Sequence, residues 1–112
     1  MGKVLQIRVI AVTWNKDLME EEWPRIMQLA LKAPVKWDNV GVLELARVLD
    51  DCLKFKHLSD RQREVLGPGI EKAAQIRREL EKALADWEPA KANELSDRLE
   101  SALDELERAY VN

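Results

Sequence analysis

The chain has 112 residues, 46% hydrophobic and 35% charged, with four Gly, four Pro and one Cys. That balance excludes a collagen-like, disulfide-stapled or fully disordered polypeptide and favours packed helices in a single domain. Eighteen Lys and Arg against 21 Asp and Glu leave a net charge of −3, so bulk charge gives no drive toward nucleic acid or an anionic membrane.

Residues 3–14 carry the β-branched side chains Val4, Ile7, Val9, Ile10, Val12 and Thr13 and predict a β-strand over 4–13. On strand spacing Leu5, Ile7, Val9 and Ala11 share one face, and Val4, Gln6, Arg8, Ile10 and Val12 the other. A lone apolar strand leaves N–H and C=O groups unmatched along both edges. The only other segment with strand character, 34–38, is too short to pair with it. The expected partner is therefore the same strand of a second copy, giving a two-fold homodimer. Gln6 and Arg8 interrupt the apolar run, which is no secretory core, and nothing approaches the roughly 20 apolar residues of a membrane span. A single cysteine, Cys52, suits a reducing compartment, and a cytoplasmic location is expected.

Asp17 and Glu20 have the spacing of a capping box and predict a helix over 17–32, with Met19, Trp23, Ile26, Met27 and Ala30 on its apolar stripe. A loop with Trp37 follows. Asp38 or Asn39 is then expected to cap a helix over 39–55. Its apolar face is Val42, Leu45, Ala46, Leu49, Cys52 and Leu53, widened by Val48 and Phe55, with Asp50 and Asp51 on the wet side. Ser59 and Gln62 form a second capping box opening a short helix over 59–66, and Gly67-Pro68-Gly69 is expected to break it. A heptad helix follows over 70–87, with Ile70, Ala73, Arg77, Leu80, Leu84 and Trp87 in steps of three and four. A last one, over 90–110, carries Ala92, Leu95, Leu99, Ala102, Leu106 and Ala109, widened by Leu103 and Tyr110. Joined by a short turn, these two predict an antiparallel hairpin. The fold class is thus mainly α: a helical bundle with a C-terminal heptad hairpin and one N-terminal β-strand.

Four tryptophans accompany one Phe and one Tyr. Trp collects at core edges and interfaces, so Trp14, Trp23 and Trp37, with the strand face Leu5, Ile7, Val9 and Ala11, form the candidate interaction surface. Catalysis finds little support. Cys52 and His57 stand five residues apart at a helix end and do not face each other, and one Cys with one His cannot build a thiolate zinc site. The function expected is a homo-oligomeric protein–protein interaction module, not an enzyme, with no cofactor or metal. The acidic residues Asp97, Glu100, Asp104 and Glu107 advance along one helix face, either solvated or docking a basic partner or the chain's own basic segments. Lys54, Lys56, Arg61 and Arg63 form the one basic cluster.

Two resemblances supply alternatives. The order strand, helix, helix resembles the ribbon–helix–helix family of small dimeric repressors. That likeness implies DNA reading by Gln6 and Arg8 in the major groove. Asp17-x-x-Glu20 and Glu94-x-x-Asp97 are similar in spacing to the carboxylate pairs of helical magnesium-dependent pyrophosphohydrolases, which implies a shared Mg²⁺ site.

Overall fold

The computed structural model describes residues 11–13, 15–37 and 39–111, and they form five helices: α1 Asp17–Glu22, α2 Pro24–Lys32, α3 Val42–Lys54, α4 Asp60–Ala85 and α5 Pro89–Ala109. The expected strand lies outside the described residues as far as residue 10, and Ala11, Val12 and Thr13 are not strand.

The helix expected over 17–32 is two helices. Pro24 lacks an N–H and forces its predecessor out of helical conformation, so Trp23 sits at φ −129° and ψ 54° and α2 restarts with Pro24 in its first turn. The Asp17–Glu20 capping box does not form. Lys16 is the N-cap of α1, without a side-chain cap bond, and the Asp17 N–H is bound by Asn15 Oδ1 at 3.1 Å. Both acids remain in the first turn, where they complement the helix dipole.

α3 begins three residues later than expected, with Gly41 rather than Asp38 or Asn39 as its N-cap. Leu45, Ala46, Val48, Leu49 and Cys52 are buried on its inner face. Phe55 does not widen that face: it lies past the helix end, 67% exposed. Asp50, expected in water, is buried beside α4, with the Lys54 ammonium 2.8 Å from its carboxylate.

The largest departure is at Gly67-Pro68-Gly69, which does not break the chain; α4 runs through it for 26 residues from a complete Ser59–Gln62 capping box. Pro68 leaves the Glu64 carbonyl without its helical N–H, and both residues lie on the exposed side of α4. Of the two glycines, Gly69 serves close approach, whereas Gly67 has room for a side chain. A Cβ on Gly69 would stand 2.7 Å from Leu106 Cδ2 of α5, and one on Gly67 would stand 3.6 Å from Leu53 Cδ1 of α3.

α4 and α5 form the helical hairpin, and α3 packs on α4 while α2 packs on α3 and α5. Ile70, Ala73 and Leu80 are buried as the heptad requires. Ile76 and Ala83 are also buried, each one residue before the expected seam members Arg77 and Leu84, which are only partly covered. Arg77 turns its guanidinium to Glu81 at 3.1 Å, and Trp87 is not a seam residue but stands 55% exposed. In α5, Ala92, Leu95, Leu99, Ala102, Leu103 and Leu106 are buried and Ala109 is exposed.

α3 and α4 end by one device. The His57 N–H reaches the Cys52 carbonyl, and the Glu88 N–H reaches that of Ala83, both at 2.9 Å. The residue before each, Lys56 at φ 58° and Trp87 at φ 60°, takes the left-handed conformation that such a cap needs. Neither is glycine, and that conformation costs an L side chain ~1–2 kcal/mol.

Candidate functional site

Of the expected interaction surface, Leu5, Ile7, Val9 and Trp14, with the alternative DNA-contact residues Gln6 and Arg8, lie outside the described residues. The remaining members differ in exposure. Ala11 is exposed, Trp37 is half-buried against the core with its indole Nε1 enclosed and unpartnered, and Trp23 is 4% exposed within the core.

Trp23 belongs instead to a polar junction between α2 and α5. Its indole N–H donates to Asp104 Oδ1 at 2.7 Å. Next to it, Glu107 is buried and takes the free N–H groups that open α2: Oε1 accepts from Arg25 N at 3.0 Å and Ile26 N at 3.1 Å. The Arg25 side chain clasps the same residue, with Nε 2.8 Å from Oε2 and Nη2 2.8 Å from the Glu107 carbonyl oxygen. The guanidinium also lies 5.7 Å from the centre of the Tyr110 ring. A carboxylate on orphan N–H groups at a helix start is favoured by both hydrogen bonding and the dipole. The acidic row is thus divided. Asp104 and Glu107 dock the chain's own α2, whereas Asp97 and Glu100 stay in water. Glu100 is held above the usual carboxylate range, first by partial desolvation and then by repulsion from Asp97 and Asp104.

The second junction lies where the N-terminal segment meets the body. Thr13 Oγ1 accepts the Val42 N–H at 3.0 Å, capping α3, and Lys16 Nζ donates to Asn39 Oδ1 at 3.2 Å. Arg47 steadies the same corner, donating to the Lys36 carbonyl at 2.8 Å and pairing with Asp51 at 2.8 Å and with Glu44. Immediately before Thr13, Val12 is 73% exposed.

Cys52 lies on the inner face of α3. The thiol is fully buried, and desolvation, followed by the Asp51 charge, pushes its pKa up to about 11, so almost none is thiolate near neutrality. His57 is exposed outside the helix end. The carboxylate pairs do not converge: among the described residues no three His, Cys, Asp or Glu form a metal-holding group, and Glu94 pairs with Arg98 at 2.8 Å. An open groove between α3 and α4 takes in Lys54, Arg63 and Arg78, but Asp50, Glu64 and Glu71 line it too. Three acids cancel three bases, leaving no excess positive charge for a phosphate.

No family model matches the chain, and neither a curated protein nor a solved structure matches it. Among the described residues no helix is long and apolar enough to cross a membrane.

Sequence reasoning missed Thr13, Gly41 and the capping role of Glu107. In the sequence Thr13 reads as one more β-branched strand residue. A glycine immediately before an amphipathic helix that lacks its own polar cap was the one available sign that a cap comes from elsewhere.

Proposed function

We propose that the chain is a non-enzymatic protein-association module that pairs with a second copy through residues 4–12. The observation that carries this reading is the exposure of the segment's described end. Ala11 and Val12 stand on the surface of their own subunit, although the residue after them is tied to α3. A β-branched apolar segment gains roughly 25 cal/mol per Å² of apolar area it removes from water. The inner stripes of α2 to α5 are already packed on one another. Among the described residues there is no strand whose edge could take the segment's backbone hydrogen bonds. The same segment of another copy offers both an apolar face and a matching edge, with Leu5, Ile7, Val9 and Ala11 toward the shared side.

Sedimentation velocity at micromolar concentration tests the reading. The expected mass is twice the 12.9 kDa of the chain, and Ile7→Pro, which removes a ladder donor, should return it toward 12.9 kDa. A well-folded wild-type monomer across that range refutes the reading.

A further inference from the structure

The free face of α4 carries charge in an order that inverts about its middle, at Glu71. Residues of opposite sign stand at equal distances before and after it: Glu64 and Arg78 at seven residues, Asp60 and Lys82 at eleven. Arg61 and Glu79, ten before and eight after, continue the inversion. All of these side chains are exposed. Seven residues make about two helical turns, so Glu64, Glu71 and Arg78 share one face, and all three line the open groove that α4 forms with α3. Gly67, Pro68 and Ala74 line the same groove and project little into it. Arg61, Glu64, Glu71, Arg78 and Glu79 form no ion pair among the described residues. Glu64 and Arg78 cannot neutralise each other within one chain, because the helix holds them ~21 Å apart.

We propose that this face of α4 docks antiparallel on the same face of a second copy, with the two-fold axis at Glu71. Such an axis sets residues equally far before and after it opposite each other. Glu64 then meets Arg78 of the other copy, Asp60 meets Lys82 and Arg61 meets Glu79, and each contact forms twice. A parallel pair would instead set Glu64 on Glu64 and Arg78 on Arg78. Glu71 faces its own copy, which opposes docking, so the contact is weak, reversible and sensitive to salt. The proposal goes beyond the pairing of residues 4–12 and needs none of those residues.

The test uses crosslinking of the full chain in oxidised glutathione, where the buried Cys52 does not compete. Glu71→Cys, on the axis, should give a covalent dimer, since the paired Cα atoms fall within the ~7 Å that a disulfide can bridge. Glu64→Cys, displaced ~21 Å along the helix from its own copy, should not. Adding Glu64→Arg to Glu71→Cys sets like charges opposite each other twice and should slow crosslinking about tenfold. Adding Arg78→Glu to that chain as well should restore the rate to within about threefold, a rescue open only to residues that meet in the other copy. The crosslink should also persist when Ile7→Pro is added. Circular dichroism melts before oxidation show that each variant is folded. If folded Glu71→Cys crosslinks no faster than Glu64→Cys, or if Glu64→Arg leaves its rate unchanged, the docking is overturned, while pairing through residues 4–12 keeps its own test by mass. Loss of the crosslink with Ile7→Pro overturns docking through α4 alone.

Discussion

The two halves of this chain begin their helices in different ways. α4 opens on its own Ser59–Gln62 capping box, whereas α5, like α2, opens on a proline preset for a first turn and has no side-chain cap of its own. In the other half, α2 and α3 have no side-chain cap of their own; α2 takes Glu107, 81 residues beyond Ile26, and α3 takes Thr13. A helix with local signals is specified before its neighbours arrive. A helix capped by a distant side chain is complete only once the tertiary structure has formed, so the α4–α5 hairpin, closed by a short turn, is expected to form first and to carry α1, α2 and α3.

The strongest test of that order attacks the hairpin. Leu99 is 1% exposed in the hairpin seam, and Leu99→Ala should cost about 2–5 kcal/mol in a denaturant melt. Because the remaining helices rest on the hairpin, amide protection should fall in α2 and α3 as well as in α4 and α5. Loss confined to α4 and α5 would remove the hierarchy. Glu107→Ala tests the dependent side. It leaves the Ile26 N–H buried without an acceptor and frees the Arg25 side chain, a loss of about 1–3 kcal/mol. Its exchange signature should differ, with early opening in α1 and α2 while α4 retains protection.

The same division explains what the sequence made legible. The stripe Leu95, Leu99, Ala102 and Leu106 was readable because a periodic apolar face has few alternatives to a seam. Ser59 and Gln62 were readable because both halves of that cap lie three residues apart. Asp50 was misread because α3 is covered on two sides, by α2 and α4, and a single helical wheel shows only one inner face. For Glu107 the sequence leaves two readings open, a solvated row or docking onto a basic partner or the chain's own basic segments. Its spacing from Asp104 is that of any solvated row, and only the position of the start of α2 turns it into a cap. Gly67-Pro68-Gly69 reads in the sequence as a break, and the structure inverts that reading at Gly69, where the missing side chain admits Leu106.

That inversion yields a paired prediction of opposite signs. Gly67→Ala places a methyl group at ordinary contact distance from Leu53, so the gain in helix propensity should dominate, stabilising by about 0.5–1 kcal/mol. Gly69→Ala sets its Cβ against Leu106, which is only 2% exposed and has little room to yield. Overpacking of about 1–3 kcal/mol should outweigh the same propensity gain and leave a net loss. Thermal melts of the two variants should move to opposite sides of the wild type. Two stabilised variants would mean that the α4–α5 crossing relaxes freely at Leu106.

The smallest effect belongs to Glu100, which shares the acidic row with Glu107 but is exposed and caps nothing. Desolvation, Asp97 and Asp104 raise its folded pKa above the ordinary glutamate value. Between those two values the folded chain binds more protons than the unfolded chain, so stability falls as pH rises through that window and stays lower above it. Glu100→Gln removes the charge responsible. It should stabilise the protein at pH 7 by less than about 0.5 kcal/mol, a limit set by solvent screening at the surface, and should bring no gain at pH 3, where the wild-type residue is already neutral. Denaturant midpoints at the two pH values provide the check. The contrast with Glu107→Ala, destabilising at pH 7, is the decisive feature: two glutamates on one helix face, about two turns apart, should respond with opposite signs, because only one of them completes a helix from the other half of the chain. Equal responses would return the whole row to a uniformly solvated face.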